Sequence, residues 1–169
     1  ITIAGDKLVR TGTGDISLAA KRSISLGNKA AVYTAGYSDA ANPANFSTPA
    51  PAAKAYYPMN GGDLGIVAGG DITQAASIPG AVSDWLVTYS TTYDNTQWWP
   101  RIASFQHGFA AFGGGDVRMA AGGDIKKVAA VIPTVGRVPG VIVDGKGQSQ
   151  AERALINGGG DLSVRVAGT

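Results

Sequence analysis

The chain has no cysteine, a single histidine (His107) and a single glutamate (Glu152) among 169 residues. Without cysteine, neither a disulfide framework nor a thiolate metal site can form. One histidine excludes a multi-histidine metal centre. Eleven of the twelve acids are aspartate. Glutamate favours helices and aspartate favours turns and caps, so this balance predicts many turns and little helix. Charge is sparse as well, at 15% of residues with a net +2. The basic residues form nothing larger than the pairs Lys21-Arg22 and Lys126-Lys127, so an electrostatic footprint for nucleic acid is missing. No apolar run approaches the ~18 residues needed to span a bilayer. There is no Walker or dinucleotide glycine motif, because the glycine-rich stretches precede strand-like rather than helix-like patterns.

Glycine is plentiful, at 25 residues, and it recurs in a pattern. GGDLGIVAGGDI runs from Gly61 to Ile72 and GGDVRMAAGGDI from Gly114 to Ile125. A shortened copy, GGDLSVRVAG, runs from Gly159 to Gly168, and a worn one covers Ala4 to Ala20. Between the two Gly-Gly-Asp corners of each tandem, apolar residues alternate: Leu64, Ile66 and Ala68, then Val117, Met119 and Ala121. Leu162, Val164 and Val166 take the same places in the third copy. Alternation of this kind marks a strand with one buried face. Self-similar turn-strand units stack into a solenoid in which each strand pairs in parallel with its counterpart one coil away.

The expected architecture is therefore all-β, a parallel β-solenoid over residues 1–169, with corners at Gly62-Asp63, Gly70-Asp71, Gly115-Asp116, Gly123-Asp124 and Gly160-Asp161. Glycine supplies the corner conformation, and aspartate is expected to bond its own nearby backbone amides. At about 20–25 residues per coil, the chain would hold about seven coils along ~30–35 Å of rod. The intervals from Asp15 to Asp63 to Asp116 to Asp161 are then about two coils each, with insertions. Two are expected: 38–60, which holds four of the eight prolines, and 78–112, which holds most of the aromatics. Both ends read as cuts through a longer array with unpaired edges, which predicts end-to-end or lateral self-association.

The ordered set Trp98-Trp99-Pro100-Arg101, Phe105-Gln106-His107-Gly108, the Gly114 tandem and Pro133-Thr134-Val135-Gly136-Arg137 resembles the large exoproteins of the filamentous haemagglutinin family. The resemblance covers most of the chain from about Gly61 onward. It implies a right-handed parallel β-helix, export from a Gram-negative bacterium through an outer-membrane transporter by two-partner secretion, and an adhesive role at the cell surface or outside the cell. The amino-terminal secretion domain and toxin-like carboxy-terminal domains of that family have no counterpart in these residues.

Seven acids directly follow a glycine, which raises the question of a calcium roll. That roll needs a nonapeptide with glycines spaced before each aspartate, and the corners here lack it. No metal, cofactor or catalytic set is expected, and His107 reads as a packed or hydrogen-bonded loop residue. Trp85, Trp98, Trp99 and Arg101 are the candidate surface contacts, suited to sugar rings or a neighbouring molecule. Burial of these aromatics as a satellite core is the competing expectation. The function these features favour is a structural and adhesive rod segment without enzymatic activity, contacting a host-cell or carbohydrate surface. The alternative is a β-helical carbohydrate-active enzyme. That would need two carboxyls ~5–9.5 Å apart on one face.

Overall fold

A computed structural model describes residues 1–38, 56–75, 82–90, 96–138, 140–149 and 154–168. The expected insertion 38–60 lies mostly outside these residues, as do 78–81 and 91–95 of the second.

The described residues are all-β, apart from two short helical turns. Three four-stranded parallel sheets dominate, and the chain visits them in a fixed order four times. The first circuit is β1 (Thr2–Ile3), β2 (Leu8–Thr11) and β3 (Ile16–Ala20). The second is β4 (Ile24–Leu26), β5 (Ala31–Thr34) and β6 (Leu64–Ala68). In the third, β7 (Ile72–Gln74) is followed by β10 (Gly108–Ala111) and β11 (Val117–Ala121). The fourth has β12 (Ile125–Lys126), β13 (Ala130–Val131) and β18 (Leu162–Val166). Each strand pairs with its counterpart in the next circuit. The register is unbroken from Ile16 to Leu64 to Val117 to Leu162.

The tandems therefore lie in adjacent circuits, and the described residues make four circuits against the expected seven or so coils. Four strands at the ordinary inter-strand spacing amount to about 19 Å along the stack. Among the described residues, the long intervals hold excursions rather than extra circuits. Within the segment 78–112, Gly108–Ala111 belong to the parallel stack as β10. The rest of the excursions contributes what the sequence pattern did not announce, an antiparallel sheet. Its strands β8 (Leu86–Tyr89), β9 (Thr96–Pro100), β14 (Thr134–Val138) and β17 (Leu155–Gly158) lie in the order β17-β14-β9-β8. β15 (Gly140–Val143) and β16 (Lys146–Ser149) form a separate antiparallel hairpin.

Alternation decides what faces inward. Leu64, Ile66 and Ala68 of β6 are buried, and so are Val117, Met119 and Ala121 of β11, in one cluster with Ile24, Ile72 and Phe109. Burying each large aliphatic side chain contributes about 1.5–3 kcal/mol, which is why a strand of five residues holds its place in the stack. β5 and β10 are buried at every position. Their Val32 and Phe109 face the interior cluster, while Tyr33 and Ala110 belong to a second cluster on the outer face. That outer cluster includes Trp85, from the single helical turn α1 (Val82–Trp85), with Phe105 and Phe112.

Candidate functional site

Two features combine chemistry with position: the columns of aspartates at the corners, and a cleft beside the aromatic excursion.

The corner aspartates bond along the stack. Asp63 N–H donates to Asp15 Oδ1 at 2.8 Å, Asp116 N–H to Asp63 Oδ1 at 2.8 Å, and Asp161 N–H to Asp116 Oδ1 at 2.9 Å. At the next corner Asp124 N–H donates to Asp71 Oδ1 at 2.8 Å, and Asp71 N–H to Ser23 Oγ at 3.1 Å. This corrects the expectation that each aspartate caps its own turn: the carboxylate reaches the amide of its counterpart one circuit on. The glycines are required by the same contact. A Cβ on Gly123 would stand 2.1 Å from Asp71 Oδ1, the oxygen that accepts the Asp124 amide. Gly115 has φ +102 and a Cβ there would stand 2.3 Å from the Gly62 carbonyl oxygen.

Stacked carboxylates repel one another, and Arg118 lies across two of them. Its guanidinium is 3.5 Å from Asp63 Oδ2 and 2.5 Å from Asp116 Oδ2. Lys126 pairs with Asp124 at 2.6 Å. The carboxylates of Asp15, Asp63, Asp71, Asp116 and Asp124 are thus engaged by backbone amides or cations. Among the described residues, no group of three histidine, cysteine or acidic side chains is placed to hold a metal. Of the acids outside the corners, Asp84 and Asp144 are exposed, whereas Asp39, Asp94 and Glu152 lie outside the described residues.

The four candidate contact residues separate. Trp85 is buried, with its ring edge-on to Phe105 at 5.6 Å and to Phe112 at 5.9 Å. Trp99 is buried against Tyr57, at 6.1 Å between ring centres. Trp98 is half-buried on β9, where its indole N–H donates to Thr134 Oγ1 at 3.3 Å. Its ring covers Gly136, where a Cβ would come within 2.6 Å of Cζ2. Arg101 is exposed, and its backbone N–H donates to the Trp85 carbonyl at 2.5 Å. Trp85 and Arg101 therefore come together, while Trp98 and Trp99 serve the antiparallel sheet.

The antiparallel sheet has its own buried polar centre. Tyr57 O–H donates to Gln97 Oε1 at 2.6 Å, and Arg137 is buried nearby. Burial pushes the Tyr57 hydroxyl up to about 12, with the Arg137 charge partly opposing the rise. Burial also lowers Arg137, and Tyr57 partly offsets this.

Trp85 and Arg101 border a cleft of about 700 Å³, closed on the other side by the β4–β5 turn at Asn28-Lys29 and by Val131 of β13. The cleft lies beside the 3-10 turn Ile102–Ser104. His107 also lines it, buried, with Nε2 3.0 Å from the Lys127 carbonyl oxygen. A carbonyl only accepts, so Nε2 carries the proton in the neutral ring and Nδ1 keeps its lone pair. Sequence reasoning picked Trp85 and Arg101 as contacts and His107 as a packed loop residue. It missed Lys29 and Asn28, because three circuits must stack before these residues share a wall.

No family model, curated protein or solved structure matches this chain. No described helix is long and apolar enough to cross a membrane.

Proposed function

We propose that the chain is a structural and adhesive segment of a secreted or cell-surface filamentous protein, built as a right-handed parallel β-helix with loop excursions. The observation that carries this reading is the fourfold passage through three parallel sheets in one register, with the aspartate columns bonding circuit to circuit. Right-handedness follows the general preference for parallel crossovers. Such a stack offers an extended lateral surface, and its excursions provide features displayed along it. Export through an outer-membrane transporter rests on the haemagglutinin-like motifs alone. The engagement of the column carboxylates by amides and by Arg118 favours a scaffold over hydrolytic chemistry.

In this reading the stack continues along the edge of β18, within a longer chain or by self-association of copies. Leu162, Val164 and Val166 occupy inward-facing positions yet are 51%, 49% and 48% exposed, whereas their partners in β11 are buried. A further circuit in the same register covers them.

Diffraction from oriented, concentrated material tests the proposal. An axial reflection near the ~4.8 Å strand spacing from elongated particles is the expected result. Compact monodisperse particles at every concentration, with no such repeat, would overturn it.

A further inference from the structure

We propose that the cleft between α1, the 3-10 turn and the Asn28-Lys29 corner binds a uronic-acid-bearing saccharide. This inference rests on the adhesive part of the function proposed above and names the ligand class. The cleft, at about 700 Å³, falls within the ~300–1,000 Å³ range of small-molecule sites. Its floor and rim differ in chemistry. The floor is apolar: Val131 is half-buried, and Trp85 and Phe105, both buried, back it from the outer cluster. On the rim, Asn28 and Gln106 are exposed amides and Ser104 an exposed hydroxyl, groups that both donate and accept. A ligand dense in hydroxyls satisfies such groups, whereas a purely apolar one leaves them unpaired.

Charge selects the acid. The lining holds two cations, Lys29 and Arg101, and one carboxylate, Asp84, so it has a cationic excess. An arginine fork matches a carboxylate through two parallel hydrogen bonds, and the lysine adds a second, compact charge. Arg101 stands on a fixed backbone. Its N–H bonds the Trp85 carbonyl, and its own carbonyl accepts the Ser104 N–H at 2.8 Å.

The test is titration calorimetry of the folded chain with trigalacturonic acid and with its neutral methyl ester. The acid should bind and the ester should bind at least about tenfold more weakly, as expected for loss of a charge-assisted contact. Arg101→Glu should weaken the acid by at least a similar factor with an unchanged far-ultraviolet circular dichroism spectrum. Lys29→Glu, on an exposed turn, provides a second variant should the first disturb folding. Equal binding of acid and ester, unaltered binding in both variants, or no binding at millimolar ligand would overturn the proposal. So would equally tight binding of citrate, which has the charge without the ring. A stack that diffracts at the strand spacing yet fails these titrations would leave the scaffold reading standing and remove only this inference.

Discussion

In the sheet formed by β3, β6, β11 and β18, buried and more exposed positions alternate along the inner two strands; in the neighbouring sheet, β5 and β10 are buried throughout. Both are parallel sheets of four strands from the same circuits. They differ in what lies outside. The first leaves its outer face to solvent and secures its corner with the Asp15–Asp63–Asp116–Asp161 column. The second is roofed by the aromatic excursion, where Tyr33, Trp85, Phe105 and Phe112 pack edge to face. A parallel sheet in this stack can thus be completed by polar bonds along its corner or by a second apolar layer. The two solutions should fail differently.

The largest effect should come from the interior that both walls share. Ile66→Asp places a carboxylate among fully buried aliphatic side chains, and removing a charge from water there costs more than the chain's stability can absorb. Loss of the strand signal in circular dichroism is expected; a folded variant would mean that the two walls do not share one core. Next comes Phe112→Ala, which strikes only the roofed wall. Deleting a buried aromatic costs about 3–5 kcal/mol. Near-ultraviolet circular dichroism should fall while amides of β6 and β11 keep their hydrogen-exchange protection. Uniform loss of protection would erase the distinction between the walls.

Asp63→Ala strikes only the bare wall. It removes the acceptor of the Asp116 amide and one partner of Arg118. Hydrogen bonds to charged groups contribute about 1.5–3 kcal/mol, so denaturant unfolding should shift by that amount. Asp63→Asn keeps the Oδ1 acceptor and should recover most of the loss. Equal loss in both variants would show that charge, and not the bond along the stack, is what the column supplies.

The smallest effect concerns the antiparallel sheet and appears only in alkali. The Tyr57 hydroxyl is raised from 10.0 to about 12. Between these values the unfolded chain gives up the proton and the folded chain retains it, so stability is fully present below pH 10 and falls as pH rises toward 12. Tyr57→Phe should flatten this part of the pH–stability curve. An unchanged slope would place the alkaline sensitivity elsewhere.

How much of this was legible can be judged wall by wall. The bare wall was readable, because one solvated face leaves the alternation of Leu64, Ile66 and Ala68 intact in the sequence. The roofed wall was not, since Ala-Val-Tyr-Thr at β5 and Gly-Phe-Ala-Ala at β10 are apolar on both sides and lose the period. That is why the sequence pattern alone leaves β10 inside an expected insertion. The antiparallel pairing was hidden for another reason. β9, β14 and β17 are distant in sequence, and nothing in Trp98 or Gly136 alone indicates that the one lies over the other. Of the cleft, Trp85 and Arg101 were visible as an aromatic and a cation in one segment.

By itself the sequence determined the all-β class, the corner positions and the inward face of the tandem strands. Those depend on local chemistry: glycine where backbones crowd, and an apolar side chain at every second residue. Only the tertiary structure decided that the tandems are adjacent circuits, four among the described residues, and that the carboxylates of Asp15, Asp63, Asp71 and Asp116 serve the next circuit's amide. The reason is physical. A strand's periodicity records which face is buried, but not which strand lies beside it. That choice is made by register, which brings Asp63 to Asp116 across 53 residues of chain.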